Sequence, residues 1–184
     1  MNNLNILAFS FLISFCFLKI IIPFLGFDLP NERNLHSKPI PRGGGIIFII
    51  ISLLSLPFTR FYSIFLFLPL ALVSFLDDLY SLSPRIRYAI QAITIFTFIQ
   101  TNIDLISITD NLYLILLVYL FLILLGTSII NFSNFIDGIN GLLISTMIIV
   151  FANIILVNKS YYLYPILGSQ LAFYYFNKTP AKVF

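Results

Sequence analysis

Seven apolar runs of roughly membrane-crossing length, separated by short polar breaks, constrain this chain more than any other feature. They are Leu4–Ile22, Gly43–Phe58, Phe61–Leu76, Ile86–Gln100, Leu112–Ile130, Leu142–Val157 and Tyr161–Phe176. A hydrocarbon core about 30 Å thick takes roughly 20 helical residues, and fewer where the flanking side chains snorkel. Backbone inside lipid must satisfy its own hydrogen bonds, so runs of this kind are helices. Charged residues make up 9% of the chain, against about a quarter in a soluble domain. The expected fold is all-α: a polytopic transmembrane helix bundle of about seven spans, forming a single membrane domain over residues 1–184. The fourth run is the weakest, being short and carrying Gln91, Thr94, Thr97 and Gln100. Pro57 and Arg60 are expected to end the second run in a tight hairpin. Tyr161, Tyr162 and Tyr164 read as an interfacial belt. Leu4–Ile22 lacks a small-residue cleavage site and is followed by further spans, so it reads as an anchor rather than a removed signal. The lone cysteine, Cys16, excludes an intramolecular disulfide.

Orientation follows from where the cations fall. The breaks after the first and third runs and the C-terminal tail carry Arg33, Lys38, Arg42, Arg85, Arg87, Lys178 and Lys182, seven in all, against Arg60 and Lys159 on the other side. The positive-inside rule makes the richer side cytoplasmic. The expected topology has the N-terminus outside, the C-terminus cytoplasmic, and segments 23–42, 77–86 and 131–141 on the cytoplasmic face of the inner membrane. The net charge of +3 is small and gives no reason to expect a nucleic-acid partner.

The polar breaks hold the residues that can do chemistry. Asp77 and Asp78 end the third run, at the negative end of a helix dipole where acids are disfavoured. Two carboxylates about 5–6 Å apart repel by roughly 3 kcal/mol at an effective dielectric near 20. A divalent cation or a neighbouring basic side chain would relieve this; the alternative is a solvated pair that merely closes the helix. Oxygen-only ligands suit Mg²⁺ or Mn²⁺, with phosphate supplying further oxygens. The break Asn131–Leu142, NFSNFIDGINGL, holds one acid, Asp137. Before Gly138 it reads either as a functional acid or as a turn or N-cap ahead of the next helix. Asn131 and Asn134 read either as site residues or as polar caps closing the fifth helix. In the first basic break, RNLHSKPIPRGGG (Arg33–Gly45), prolines stiffen the chain and Gly43–Gly45 open the start of the second helix. Such a helix start beside Lys38 and Arg42 suits phosphate; the alternative is a basic segment that sets topology and touches anionic headgroups. His36 reads as a base, a phosphate donor or a plain surface residue, and Lys19 as a snorkelling cation. No thiolate cluster, HExxH or Walker-type loop is present. Metal-assisted phosphoryl chemistry at the membrane surface is the expected class.

Four segments together resemble the polyprenyl-phosphate sugar-1-phosphate transferases, the family of glycosyl transferase family 4. Arg33-x-x-His36-x-x-Pro39-Ile40-Pro41-Arg42-Gly-Gly-Gly resembles HxxPTPRxGG, with Ile40 in place of Thr. Asp77-Asp78-x-x-x-Leu82 followed by Arg87 and Gln91 resembles DDxxxLxxxxKxxxQ. NFSNFIDGINGL resembles NxxNFxDGxDGL, with Asn140 in place of Asp, and Phe176–Phe184 is similar to FNxxPAKxF. The resemblance implies that a lipid-carrier phosphate attacks the β-phosphate of a UDP-sugar of N-acetylhexosamine type. The products are a polyprenyl-diphospho-sugar and UMP, with Mg²⁺ (or Mn²⁺) as cofactor, at the start of an envelope polysaccharide such as O-antigen. It implies catalytic and metal-holding roles for Asp77, Asp78 and Asp137. Substrate contacts are implied for His36, Lys38, Arg42, Asn131, Asn134, Asn140, Asn177 and Phe184, the last as a uracil-stacking ring. The partners implied are the polyprenyl phosphate, the UDP-sugar and the membrane.

Family members continue past FNxxPAKxF with an MGDxGS segment, more helices and a histidine-bearing loop. The chain therefore reads as the N-terminal half of a larger transferase domain, expected to insert in the membrane but to be inactive alone, and open to homo-oligomer formation or to a second polypeptide. The alternatives are an inactive remnant and a transporter fragment. Transporters place acids in mid-membrane, and no Asp or Glu falls inside any of the seven runs.

Overall fold

The computed structural model describes residues 2–28, 39–104, 110–137 and 139–183. Among the described residues seven α-helices match the seven apolar runs: α1 (Asn3–Ile21), α2 (Ile46–Thr59), α3 (Ile64–Tyr80), α4 (Pro84–Asn102), α5 (Leu112–Ile136), α6 (Leu142–Asn158) and α7 (Tyr164–Asn177). The weak fourth run is a full helix. Two helical stretches, Asn3–Phe24 and Leu112–Ile136, are long and apolar enough to cross a membrane; Ile46–Thr59 and Leu142–Asn158 are shorter apolar helices. A two-residue antiparallel ribbon, β1 (Phe27–Asp28) against β2 (Ile40–Pro41), is an element the hydropathy pattern does not announce. It is extended by the Arg42 amide donating to the Gly26 carbonyl at 2.9 Å.

Three boundaries differ from the sequence expectation. Pro57 does not end α2; it lies inside the helix, which stops at Arg60 in a left-handed conformation. The third helix runs on through Asp77 and Asp78 to Tyr80. Asn131 and Asn134 are not caps in a loop, because α5 continues as helix to Ile136. Here the polar side chains turn back onto the helix: Thr127, Ser128, Asn131 and Ser133 each donate to the carbonyl four residues back, at 2.7–2.9 Å, which is how such residues find a partner inside a helix.

The chain divides into two compact units, Met1–Ile64 with Ile136–Phe184, and Phe65–Phe135. In the first, α7 is central and packs against α1, α2 and α6. Its approach to α1 is close at Gly168, where an added Cβ would lie 2.6 Å from the Leu7 carbonyl oxygen. Ser10 and Ser14 on α1 are buried, and the Ser14 hydroxyl donates to the Ser10 carbonyl at 2.7 Å. Such small residues let membrane helices come together. One core gathers Leu18, Ile47, Ile51, Ile144, Phe173, Phe176 and Val183; a second joins Ile155, Leu163 and Leu167.

The second unit holds nearly all of α3, α4 and α5. Phe67 meets Phe98, and Phe96 meets Tyr119, at 5.7 and 5.6 Å between ring centroids. Gly126 on α5 faces Ile95 on α4, whose side chain would stand 2.8 Å from an added Cβ.

Candidate functional site

In the second unit the two acids fall on the last turn of α3. Asp77 is half-buried and fully engaged. Its Oδ2 accepts from Arg87 Nη1 at 2.8 Å, and its Oδ1 accepts from the Leu82 amide at 2.8 Å. The Leu82 contact spans the left-handed turn at Ser81, whose amide donates to the Asp77 carbonyl. The nearby cation anticipated for the acid pair is therefore Arg87, on the first turns of α4. Asp78 is exposed on the same turn of α3.

One turn further along α4 from Arg87, Gln91 is buried, at 3% exposure. Asn131 on α5 donates from Nδ2 to Gln91 Oε1 at 2.8 Å, and Gln91 Nε2 donates back to Asn131 Oδ1 at 3.5 Å. The Asn131 amide also donates to the Thr127 carbonyl. Asn131 is thus committed to holding α4 against α5. Asn134 lies one turn beyond it, exposed. Gln91 and Asn131, taken from two separate motifs, meet across one helix pair, with Arg87 one turn away on α4.

In the first unit residues 139–142 form a tight turn. The Ile139 amide donates to the Ile136 carbonyl and the Leu142 amide to the Ile139 carbonyl. Gly141, with φ of 76°, starts α6, in the left-handed region that favours glycine. The turn packs on the end of α7, where a Cβ on Gly141 would stand 3.4 Å from the Lys178 Cα. Ile139, Asn140, Gly141 and Ser145 share an open cavity of about 510 Å³ with Tyr174, Lys178 and Thr179. Lys178 and Lys182 both place their ammonium groups over the Tyr175 ring, at 5.3 and 5.6 Å. Nothing in the residue pattern singles out Tyr174 or Ser145 for this cavity, since each sits in an ordinary helical run.

Arg42 follows the ribbon and leads into Gly43–Gly45. The first amides of α2 are already spent, with Ile46, Ile47 and Phe48 donating to the carbonyls of Gly43, Gly44 and Gly45. His36, Lys38 and Phe184 lie outside the described residues.

Within each unit the described residues bring no three His, Cys, Asp or Glu side chains together at ligating distance. Adjacent carboxylates such as Asp77 and Asp78 are the kind of oxygen donors that take a hard divalent cation together with phosphate oxygens and water.

The comparisons with known proteins agree with the motifs. Residues 60–184 match the model for glycosyl transferase family 4. The undecaprenyl-phosphate alpha-N-acetylglucosaminyl 1-phosphate transferase of Thermotoga maritima is 29% identical over 158 residues, which cover 85% of this chain and 50% of that protein. A probable undecaprenyl-phosphate N-acetylglucosaminyl 1-phosphate transferase of Bacillus subtilis is 26% identical over 188 residues, covering 90% of this chain and 52% of that protein. The chain thus spans about half the length of these curated relatives.

Proposed function

The chain belongs to glycosyl transferase family 4, and from that premise we propose that it carries the lipid-phosphate and nucleotide-sugar machinery of a polyprenyl-phosphate sugar-1-phosphate transferase. In the proposed reaction an oxygen of the lipid phosphate bonds to the β-phosphorus of a UDP-N-acetylhexosamine. The bond bridging the α- and β-phosphates breaks, and UMP leaves. The observation that carries this reading is the pair at the end of α3. Asp77 is fixed through both oxygens by Arg87 and the Leu82 amide, while Asp78 beside it is exposed. Asp77 is suited to set the local charge and geometry, and Asp78 to face the phosphate and a divalent ion. Asp78, beside Asp77, would hold Mg²⁺ together with phosphate oxygens and water, and the ion would neutralise phosphate charge. Asn140 stands where the family pattern has Asp. A neutral amide both donates and accepts, so its contact with a nucleotide base would differ from that of a carboxylate.

The arrangement is proposed to sit in the cytoplasmic membrane as seven spans, N-terminus outside. In a Cys16→Ala background, cysteines at Ser81, Ser133 and Thr179 should resist an impermeant thiol reagent in intact cells, and one at Asn158 should react. Labelling of Ser81 or Ser133 from outside would remove the shared face.

The activity test uses this chain in vesicles, alone and joined to the C-terminal half of the Bacillus subtilis relative. It is given undecaprenyl phosphate, UDP-N-acetylglucosamine and Mg²⁺, and UMP release is followed. Release should require the lipid phosphate and the metal. It should fall by about 10²–10³ in Asp77→Asn, Asp78→Asn and Asp137→Asn, the scale set by loss of one well-aimed electrostatic contact. Unchanged turnover in any of the three would take that residue out of the reaction.

A further inference from the structure

At the end of α7, on the side that meets α1, cations gather around one aromatic ring. Tyr175 is exposed and lies against Phe15 of α1 and Phe176, with ring centroids 5.2 Å apart in both contacts. The ammonium groups of Lys178 and Lys182 stand 5.3 and 5.6 Å from the centroid of that ring. The backbone beneath both lysines is fixed. The Lys178 amide donates to the Tyr174 carbonyl at 2.9 Å and the Lys182 amide to the Phe176 carbonyl at 2.7 Å. Next to Lys182, Val183 is wholly buried in the core, and its carbonyl accepts from Asn177 Nδ2 at 2.8 Å. The two helices run in the same direction, since Gly168 meets Leu7 and Phe11 while Tyr175 meets Phe15. Lys19, exposed, lies one turn beyond Phe15 on the same face of α1, and so comes out beside the tail.

A solvated run of lysines needs no such arrangement. Here the cations come from two helices and a folded-back tail, and two of them share one ring. The face of the ring attracts each ammonium, but the ammonium groups repel each other, and an anion between them relieves that repulsion. The cavity beside Asn140 is a separate place. Lys178 turns its Cα and Cβ to Gly141 there and carries its ammonium over Tyr175. We propose that Lys178 and Lys182, with Lys19, form around Tyr175 a headgroup site for an anionic phospholipid of the surrounding membrane. Its phosphodiester would lie between the ammonium groups and its chains in the bilayer beside α1 and α7. Lysine stems along apolar surface with the charge at the polar edge suit that depth, and an anionic leaflet attracts basic groups held near it. The proposal rests on the membrane placement given above, which the thiol labelling tests by itself.

Amine labelling of the full chain in vesicles tests the site. Acylation by a membrane-permeant reagent is followed at each lysine, in phosphatidylcholine alone and with phosphatidylglycerol added. Phosphatidylglycerol should slow Lys178 and Lys182 about fivefold more than Lys159, the scale of attraction for one basic residue at an anionic surface. Lys159 is exposed at the opposite end of α7. Both leaflets carry the anionic lipid, so Lys159 reports the general effect of surface charge whichever way the chain is inserted. Tyr175→Phe should keep the difference and Tyr175→Leu should abolish it. Equal slowing at all three lysines would overturn the site, and so would a Tyr175→Leu variant protected like the wild type. Undecaprenyl phosphate or inorganic phosphate, added to phosphatidylcholine at matched charge, should give no such difference. Protection by either that equals the effect of phosphatidylglycerol would assign the cations to the carrier or to free phosphate and overturn the phospholipid site. If the joined protein releases no UMP, the transferase reading fails, and the labelling pattern still decides this one.

Discussion

In the first unit α7 buries nine of its fourteen residues, and they are a mixture of small, apolar and amide side chains from Pro165 to Asn177. In the second unit the three helices are longer, yet α3 buries none, α4 buries Gln91, Thr94 and Ile99, and α5 buries only Thr127. Three of those four are polar. Along α5 the exposed residues include Leu112, Leu116, Leu117, Leu120, Phe121 and Leu124, an apolar surface that only lipid or another helix would cover without cost. The difference teaches how each unit is held. Where the surroundings are as apolar as leucine, burying leucine gains little, and helices associate through close backbone approach and interhelical hydrogen bonds. The first unit relies mainly on close approach, at Gly168. The second relies on the Gln91–Asn131 pair and the Asp77–Arg87 ion pair.

The two close approaches give the largest expected contrast. A Cβ at Gly168 meets backbone, the Leu7 carbonyl at 2.6 Å and the Phe11 amide nitrogen at 3.1 Å. One at Gly126 meets only the Ile95 side chain, nearest at its terminal Cδ1. Backbone cannot yield without moving a helix, whereas an isoleucine can change rotamer. Gly168→Ala should therefore cost about 1–3 kcal/mol, the usual range for overpacking, and Gly126→Ala clearly less. Unfolding by denaturant in mixed micelles measures both. An equal cost at the two sites would break the distinction between the units.

The second unit is probed through its amides. A double-mutant cycle on Gln91→Leu and Asn131→Leu should return a coupling of about 0.6 kcal/mol and no more than about 2, as membrane hydrogen bonds do. A coupling near zero would mean that packing at Gly126 and Ile95, and not hydrogen bonding, joins α4 to α5. The same pair sets the rotation of α4, and with it the position of Arg87 one turn away. Asn131→Leu should then lower transferase turnover in the joined protein more than it lowers stability.

Much of this was legible in the residues. Hydropathy alone located all seven helices, because each apolar run is bounded by polar residues, charge, glycine or proline. It misplaced the ends of α3 and α5. Asp77, Asp78, Asn131 and Asn134 look like loop residues by polarity, yet the Asn131 and Asp77 side chains bond to nearby backbone and keep or cap the helix they sit in. The motif spacing picked out Asp77, Arg87, Gln91 and Asn131 from distant stretches but could not say which would pair with which. That depends on the rotation of α4 against α5, which no local pattern records. The backbone partners of Asn177 are hidden for the same reason: they lie 36 residues before it and six after, and only the tertiary fold brings them to one amide.

The smallest expected effect isolates what a hydrogen-bond partner is worth within the first unit. Gln170 and Asn177 lie two turns apart on α7, so both fall on one face of the helix, and both are buried. Asn177 has its oxygen and nitrogen engaged. The Oε1 of Gln170 finds no donor among the described residues. A buried acceptor without a partner carries a desolvation cost of about 1–3 kcal/mol, and replacing it by an apolar group of similar shape is close to neutral or stabilising. Gln170→Leu should therefore leave the Tm unchanged or raise it slightly, while Asn177→Leu, the same chemical change two turns on, should lower it. Thermal unfolding of the two variants side by side reads the comparison directly. A clear loss of stability in Gln170→Leu would show that its oxygen has a partner, a bound water or a neighbouring helix, and that α7 is held by satisfied amides along its whole buried face.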